Sequence, residues 1–205
     1  MATAVLTRWR RWDRPALHLL CALPLLILSV KGLSGDLGAN PIEALVRGIG
    51  DWALRLLVVA LAVTPIRRLT GLSRLAAYRR MLGLWAFAYV VLHLSAYIVL
   101  DQFFDWQAIA GEIRKHKFIT AGILSVILLL PLAATSTGAM VRRLGGVRWK
   151  WLHRLVYLAV PLAGIHYLWM VKADTRQPIA YLVLILLCLG ARLFHARHSR
   201  GAGLQ

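Results

Sequence analysis

Residues 81–100 read MLGLWAFAYVVLHLSAYIVL, a run without Lys, Arg, Asp or Glu that carries a single imidazole, His93. A hydrocarbon core about 30 Å thick takes about 20 residues of helix rising about 1.5 Å each, so this stretch predicts a transmembrane helix. Comparable runs lie on both sides of it, giving apolar segments at Ala16–Val30, Trp52–Ile66, Met81–Leu100, Phe118–Ala134, Trp151–Val171 and Pro178–Phe194. The expected fold class is an all-α integral membrane protein, a six-transmembrane-helix bundle with short loops. It forms a single transmembrane domain over 1–205, with approximate spans 16–30, 52–66, 81–100, 118–134, 151–171 and 178–194. Composition agrees, because a chain that is 60% hydrophobic with a mean hydropathy of +0.66 is too apolar for a solvated surface. Pro24 lies in the short first run, and Pro161 predicts a kink inside the fifth.

The formal charge of +17 would suggest nucleic acid in a soluble protein. Here the arginines form short clusters between apolar runs, which argues for topology and against a nucleic-acid partner. Translocating Lys and Arg is disfavoured, so loops that hold them stay in the cytoplasm. Such residues crowd the N-terminal tail (Arg8, Arg10, Arg11, Arg14), the second loop (Arg67, Arg68, Arg74, Arg79, Arg80), the fourth loop (Arg142, Arg143, Arg148, Lys150) and the tail after Arg192. Asp36, Glu43, Asp51, Asp101, Asp105, Glu112 and Asp174 fall in or beside the alternate loops, leaving Asp13 as the one acid on the inner side. Both termini are therefore expected in the cytoplasm, and the first helix is expected to be retained and not cleaved as a signal. Trp9, Trp12, Trp149 and Trp151 flank inner ends and Trp52, Trp106 and Trp169 outer ends, as interfacial belts. Cys21 and Cys188 sit in apolar segments and suggest packing, with no disulfide framework. No internal repeat and no matched pair of broken helices points to a transporter.

Ionisable side chains inside a span are costly and carry a functional hypothesis by default. His93, His153 and His166 are the ones that stand out. Counting rise along alternating helices puts His93 and His166 at one level in the outer half and His153 near the inner end. Two neutral imidazoles facing each other across neighbouring helices can supply both axial ligands of a haem iron. For any one of them the plain alternative is an interhelical hydrogen bond. His153 and His166 miss a common helix face by roughly 140°, so a straight helix would not aim both inward. His153 would recruit His18 from the first span, serve as an alternative ligand, or lie beside a second cofactor. His18, His116, His195 and His198 lie near span ends or in loops, where interfacial polarity explains them. Arg79 and Arg80 sit where propionate or phosphate groups would be met, although anchoring the inner face is the better account of them.

Two segments carry a resemblance. Arg79-Arg80-Met81-Leu82-Gly83-Leu84-Trp85 leads to His93, and Trp151-Leu152-His153-Arg154-Leu155-Val156-Tyr157 leads to His166-Tyr167-Leu168-Trp169. Both resemble the ferric-reductase-like transmembrane superfamily, which includes the NADPH oxidases. Gly38-Ala39-Asn40-Pro41-Ile42-Glu43, Trp52-Ala53-Leu54-Arg55-Leu56-Leu57 and Thr64-Pro65-Ile66-Arg67-Arg68 narrow the likeness to the MsrQ (YedZ) family. The similarity runs from about Ala16 to Arg192, with a ferric-reductase-like haem-binding core over about 45–171.

The resemblance implies a haem-binding membrane subunit of a methionine-sulfoxide reductase system in the bacterial inner membrane. Electrons would come from the quinone pool or a cytoplasmic flavin reductase and pass to a periplasmic molybdopterin-containing subunit that repairs oxidised proteins. It implies heme b and flavin mononucleotide as cofactors and maps the haem ligands onto His93, His153 and His166. One histidine of the oxidases' usual two-per-helix pattern is missing from the third span. No G-x-G-x-x-G segment is present and no nicotinamide domain is expected after the last helix, so reducing equivalents must arrive from another molecule. The alternatives are a ferric or other metal reductase of the same fold, or a transporter or assembly factor whose histidines bind metal ions or simply pack.

Overall fold

The computed structural model describes the backbone of residues 2–201 and the side chains of residues 13–194. The side chains of Arg8, Trp9, Arg10, Arg11, Trp12, His195 and His198 lie outside the described residues. Among those described, the chain is helical throughout, with no strand. In order come α1 (Ala2–Ser34), α2 (Pro41–Thr70), α3 (Ala76–Ala96), α4 (Trp106–Lys115), α5 (Lys117–Ala134), α6 (Gly138–Leu144), α7 (Gly146–Leu152), α8 (Val156–Met170) and α9 (Arg176–Gly201). Short 3-10 turns at Ser73–Leu75 and His153–Leu155 precede α3 and α8, and a π-helical turn at Tyr97–Asp101 extends α3.

Among the described residues five segments are long and apolar enough to cross a bilayer, at Asp13–Ser34, Pro41–Thr70, Ser73–Asp101, Lys117–Ala134 and Arg176–Phe194. The expected fifth span is divided: α8 has 15 residues and is preceded by the 3-10 turn and α7. The second span is longer than its apolar run because capping chemistry starts it early. The Asn40 side chain accepts from Glu43 N at 3.4 Å and donates to Glu43 Oε2 at 2.8 Å, and Pro41 follows at the first helical position, where its missing N–H costs nothing. Gly71, at φ 70°, ends the helix in the left-handed conformation that glycine adopts without penalty.

The helices pack as two close pairs, α2 along α3 and α5 along α8, with α9 against α8 and α2. Ala86, Tyr89, Ala159, Val160 and Ile185 are fully buried at these contacts. Small residues permit the close approach: a Cβ on Gly164 would lie 2.6 Å from the Leu182 side chain, and one on Gly48 2.9 Å from Leu28. The buried Ser125 hydroxyl donates to the Ala159 carbonyl at 2.8 Å and joins α5 to α8.

The first helix is attached differently. Most of its large apolar side chains face outward, Leu33 at 91% exposure, as suits lipid contact. One of its anchors is Tyr89 of α3, whose hydroxyl donates to Cys21 O at 2.8 Å and accepts from Leu25 N at 3.1 Å. Those two backbone groups stand four residues apart beside Pro24, so the phenol enters the helix ladder where the proline already disturbs it. Trp149 departs from the interfacial belt, its indole donating to Thr135 O at 2.9 Å, whereas Trp106, Trp151 and Trp169 remain exposed.

Candidate functional site

The two helix pairs each present a histidine to the space between them. His93 projects from α3, and its Nδ1 lies 2.9 Å from the carbonyl of Val46 on α2. His166 projects from α8, and its Nδ1 lies 2.7 Å from the carbonyl of Phe118 on α5. A carbonyl only accepts, so each Nδ1 carries the proton and each Nε2 keeps its lone pair. This is the tautomer and the outer contact that a metal-binding imidazole needs. The ring centroids are 6.2 Å apart with planes at 75°, so the structure brings together the two histidines expected at one level.

Room for each ring comes from a glycine one turn beyond the accepting carbonyl. A Cβ on Gly50 would stand 2.9 Å from His93 Nδ1, and one on Gly122 would stand 2.8 Å from His166 Nδ1. Carbonyl, glycine four residues on, and a histidine 47 or 48 residues after the carbonyl occur once in each helix pair. Sequence reasoning missed both glycines. The available signal was their cost, because glycine in a helix interior loses about 1 kcal/mol to alanine and so calls for a packing reason.

Both rings line a cavity of about 580 Å³, within the usual range for a cofactor. Its walls include Leu54, Leu57, Val90, Leu94, Val126 and Ala163; Glu43, Arg47, Asp101, Gln102 and Glu112 supply its polar part. The Tyr97 hydroxyl, on another lining residue, is buried without a hydrogen-bond partner among the described residues. At the acidic end Arg47 pairs with Glu43, and Arg55 donates to the Tyr181 hydroxyl at 3.1 Å while stacking 4.7 Å over Trp52.

A haem fits these residues. An imidazole–metal bond of about 2 Å on each side, plus ring radii of about 1.1 Å, sets the centroids of two axial histidines about 6 Å apart. Among the described residues no group of three or more His, Cys, Asp and Glu side chains could hold a metal ion. The pair thus offers two donors, which suits a macrocycle supplying its own equatorial nitrogens and does not suit a bare ion. The unpartnered Tyr97 hydroxyl marks a place for a polar group of the occupant.

The other predicted residues stand apart from this cavity. His153 is in the 3-10 turn before α8, stacked on Trp149 with centroids 3.9 Å apart and with Nδ1 3.1 Å from Trp149 O. His18, the partner considered for it, accepts at Nδ1 from the Trp85 indole at 2.8 Å. His116 pairs with Glu112 at 3.2 Å near the mouth. Arg79 donates to the Thr64 hydroxyl at 3.4 Å, and Arg80 is exposed; neither lines the cavity.

Comparison with known proteins converges on one family. Residues 48–164 match the family described as ferric reductase like transmembrane component. The chain is 50% identical over 193 residues to the protein-methionine-sulfoxide reductase heme-binding subunit MsrQ of Rhodospirillum rubrum, covering 94% of this chain and 93% of that one. The protein of the same name from Caulobacter vibrioides is 49% identical over 181 residues, covering 88% and 86%, and that from Herminiimonas arsenicoxydans 45% over 186 residues, covering 90% and 85%. With several apolar helices of spanning length and likeness over nearly its whole extent, the chain is a multi-pass protein of the bacterial inner membrane that belongs to the ferric-reductase-like transmembrane family and, within it, to MsrQ.

Proposed function

We propose that His93 and His166 are the axial ligands of a b-type haem and that this chain is the electron-carrying membrane subunit of a methionine-sulfoxide reductase system. The supporting observation is the matched pair of imidazoles whose Nδ1 protons are held by Val46 and Phe118 carbonyls, which leaves both Nε2 atoms for iron. Bound haem supplies one-electron chemistry between ferrous and ferric iron. The chain's own residues hold the two imidazoles in one tautomer, exclude water with apolar walls and leave the polar mouth at one end. Quinone or a cytoplasmic flavin reductase would donate the electrons, and a periplasmic molybdopterin-containing methionine-sulfoxide reductase subunit would receive them. Flavin mononucleotide, the second cofactor implied by the resemblance, is assigned to no residue.

The proposed architecture is a single transmembrane domain with six crossings and cytoplasmic termini, its haem-binding core over about 45–171. Residues 146–170 make the remaining crossing, the fifth in chain order, as a nearly continuous helical path. His153 is the position at which a second or alternative iron ligand would be sought, and with His18 held by Trp85 it has no partner imidazole from α1.

Absorbance tests the ligand pair. Purified protein should show a Soret band, His93→Ala and His166→Ala should each remove most of it, and His153→Ala should leave it largely intact. Equal loss from all three would sink the assignment of the pair. Gene deletion should impair periplasmic methionine-sulfoxide reduction and spare ferric reduction; the reverse would favour a metal reductase.

A further inference from the structure

The basic end of the bundle holds a half-buried cation with no carboxylate beside it. Arg192 of α9 reaches α2, where its Nη2 donates to Leu61 O at 2.6 Å, while its Nε is buried with no hydrogen-bond partner among the described residues. One turn further along α2, the Thr64 hydroxyl accepts from Arg79 of α3 at 3.4 Å. Two guanidiniums therefore meet adjacent turns of one helix, roughly 4.5 Å apart along its axis.

No carboxylate side chain is available to balance them. All eight acids of the sequence fall among the described residues. The one at this end, Asp13, accepts from the Tyr78 hydroxyl at 2.9 Å. The other seven belong to the opposite end of the spans. A carbonyl and a hydroxyl satisfy hydrogen bonds without cancelling charge, and a guanidinium held inside a span without a counter-charge is costly. Guanidinium forks match the several oxygens of a tetrahedral anion, and basic pockets between transmembrane helices at headgroup depth suit phosphate-bearing headgroups.

We infer that the converging ends of α2, α3 and α9 form a binding site for a phosphate group, held between Arg79 and Arg192. Neither arginine lines the histidine cavity, so the site is separate from the haem proposal and independent of which way the protein faces. The phosphate comes either from a phospholipid headgroup or from a soluble phosphorylated ligand.

Native mass spectrometry of the full chain extracted in dodecyl maltoside, and ³¹P line broadening of inorganic phosphate added to delipidated protein, distinguish the sources. A retained phospholipid adduct that falls at least tenfold in Arg79→Gln and in Arg192→Gln identifies a lipid. No adduct, but phosphate broadening that both variants lose, identifies a soluble ligand. Neither signal in the wild type, or equal signals in the variants, overturns the site. Arg79 is exposed, so Arg79→Gln carries the test if Arg192→Gln fails to elute as a monodisperse species.

Discussion

At the residue scale the site depends as much on what is missing as on what is present. His93 and His166 occupy the volume that a side chain on Gly50 or Gly122 would fill, with the added Cβ 2.9 and 2.8 Å from ring nitrogens that must also reach a carbonyl. Gly50→Ala and Gly122→Ala should therefore lower haem content at least tenfold with both histidines in place. Gly83→Ala in the same bundle, where an added Cβ meets nothing within 4 Å, should leave it unchanged. Helix propensity opposes the expected loss, because Gly→Ala in an unobstructed helix interior gains about 1 kcal/mol. Pyridine haemochrome quantification of the three variants decides the matter, and full haem in Gly50→Ala would show that the ring has another position. The histidines themselves were legible, since an imidazole in a span is conspicuous and counting rise sets its depth. Their tautomer was not, because it depends on carbonyls 47 and 48 residues away on other helices.

At the element scale the apolar runs located the helices but not their ends or interruptions. Asn40 and Glu43 start α2 well before its apolar run, an outcome of side-chain hydrogen bonds that hydropathy does not weigh. Pro161 is the expected source of a kink in the fifth span, whereas the 3-10 turn falls at His153 itself. Arg192, which the charge pattern placed at the start of a cytoplasmic tail, lies within α9 and reaches the backbone of α2. The first helix shows a dependence no periodicity could reveal, because the part of it around Pro24 is tied to the bundle through the Tyr89 hydroxyl, beyond the Asp13–Tyr78 and His18–Trp85 contacts nearer its start. Tyr89→Phe keeps the ring and its packing but leaves Cys21 O and Leu25 N without that contact, at a cost of about 1–3 kcal/mol for buried polar groups. Amide exchange should accelerate around Cys21 and Leu25 while α2 and α3 stay protected. Unchanged exchange there would mean that the ladder of α1 closes without the phenol.

At the scale of the whole molecule, basic and acidic residues segregate to opposite ends of the spans, which predicts the sidedness of each loop. With Cys21 and Cys188 replaced by Ala, a cysteine at Arg143 should react with an impermeant maleimide only from the cytoplasmic face and one at Asp105 only from the periplasmic face; reversed labelling would invert the proposed direction of electron flow. The two close helix pairs lead to a second expectation. His93 is braced by α2 and His166 by α5, so a group bound by both imidazoles ties the α2–α3 pair to the α5–α8 pair across the cavity. Any ligand that binds only the folded bundle stabilises it by mass action, about 2.7 kcal/mol at one hundred times its dissociation constant. For a chain of this length that corresponds to a rise in Tm of roughly 5–10 °C. Haem-loaded protein should melt higher than apoprotein by about that margin, and His93→Ala and His166→Ala should each abolish most of the difference. His153→Ala should preserve it, because His153 rests on Trp149 at the far end and bridges neither pair. A haem-dependent rise that survives loss of either cavity histidine would mean that haem is held elsewhere and that the two pairs are not joined through this site.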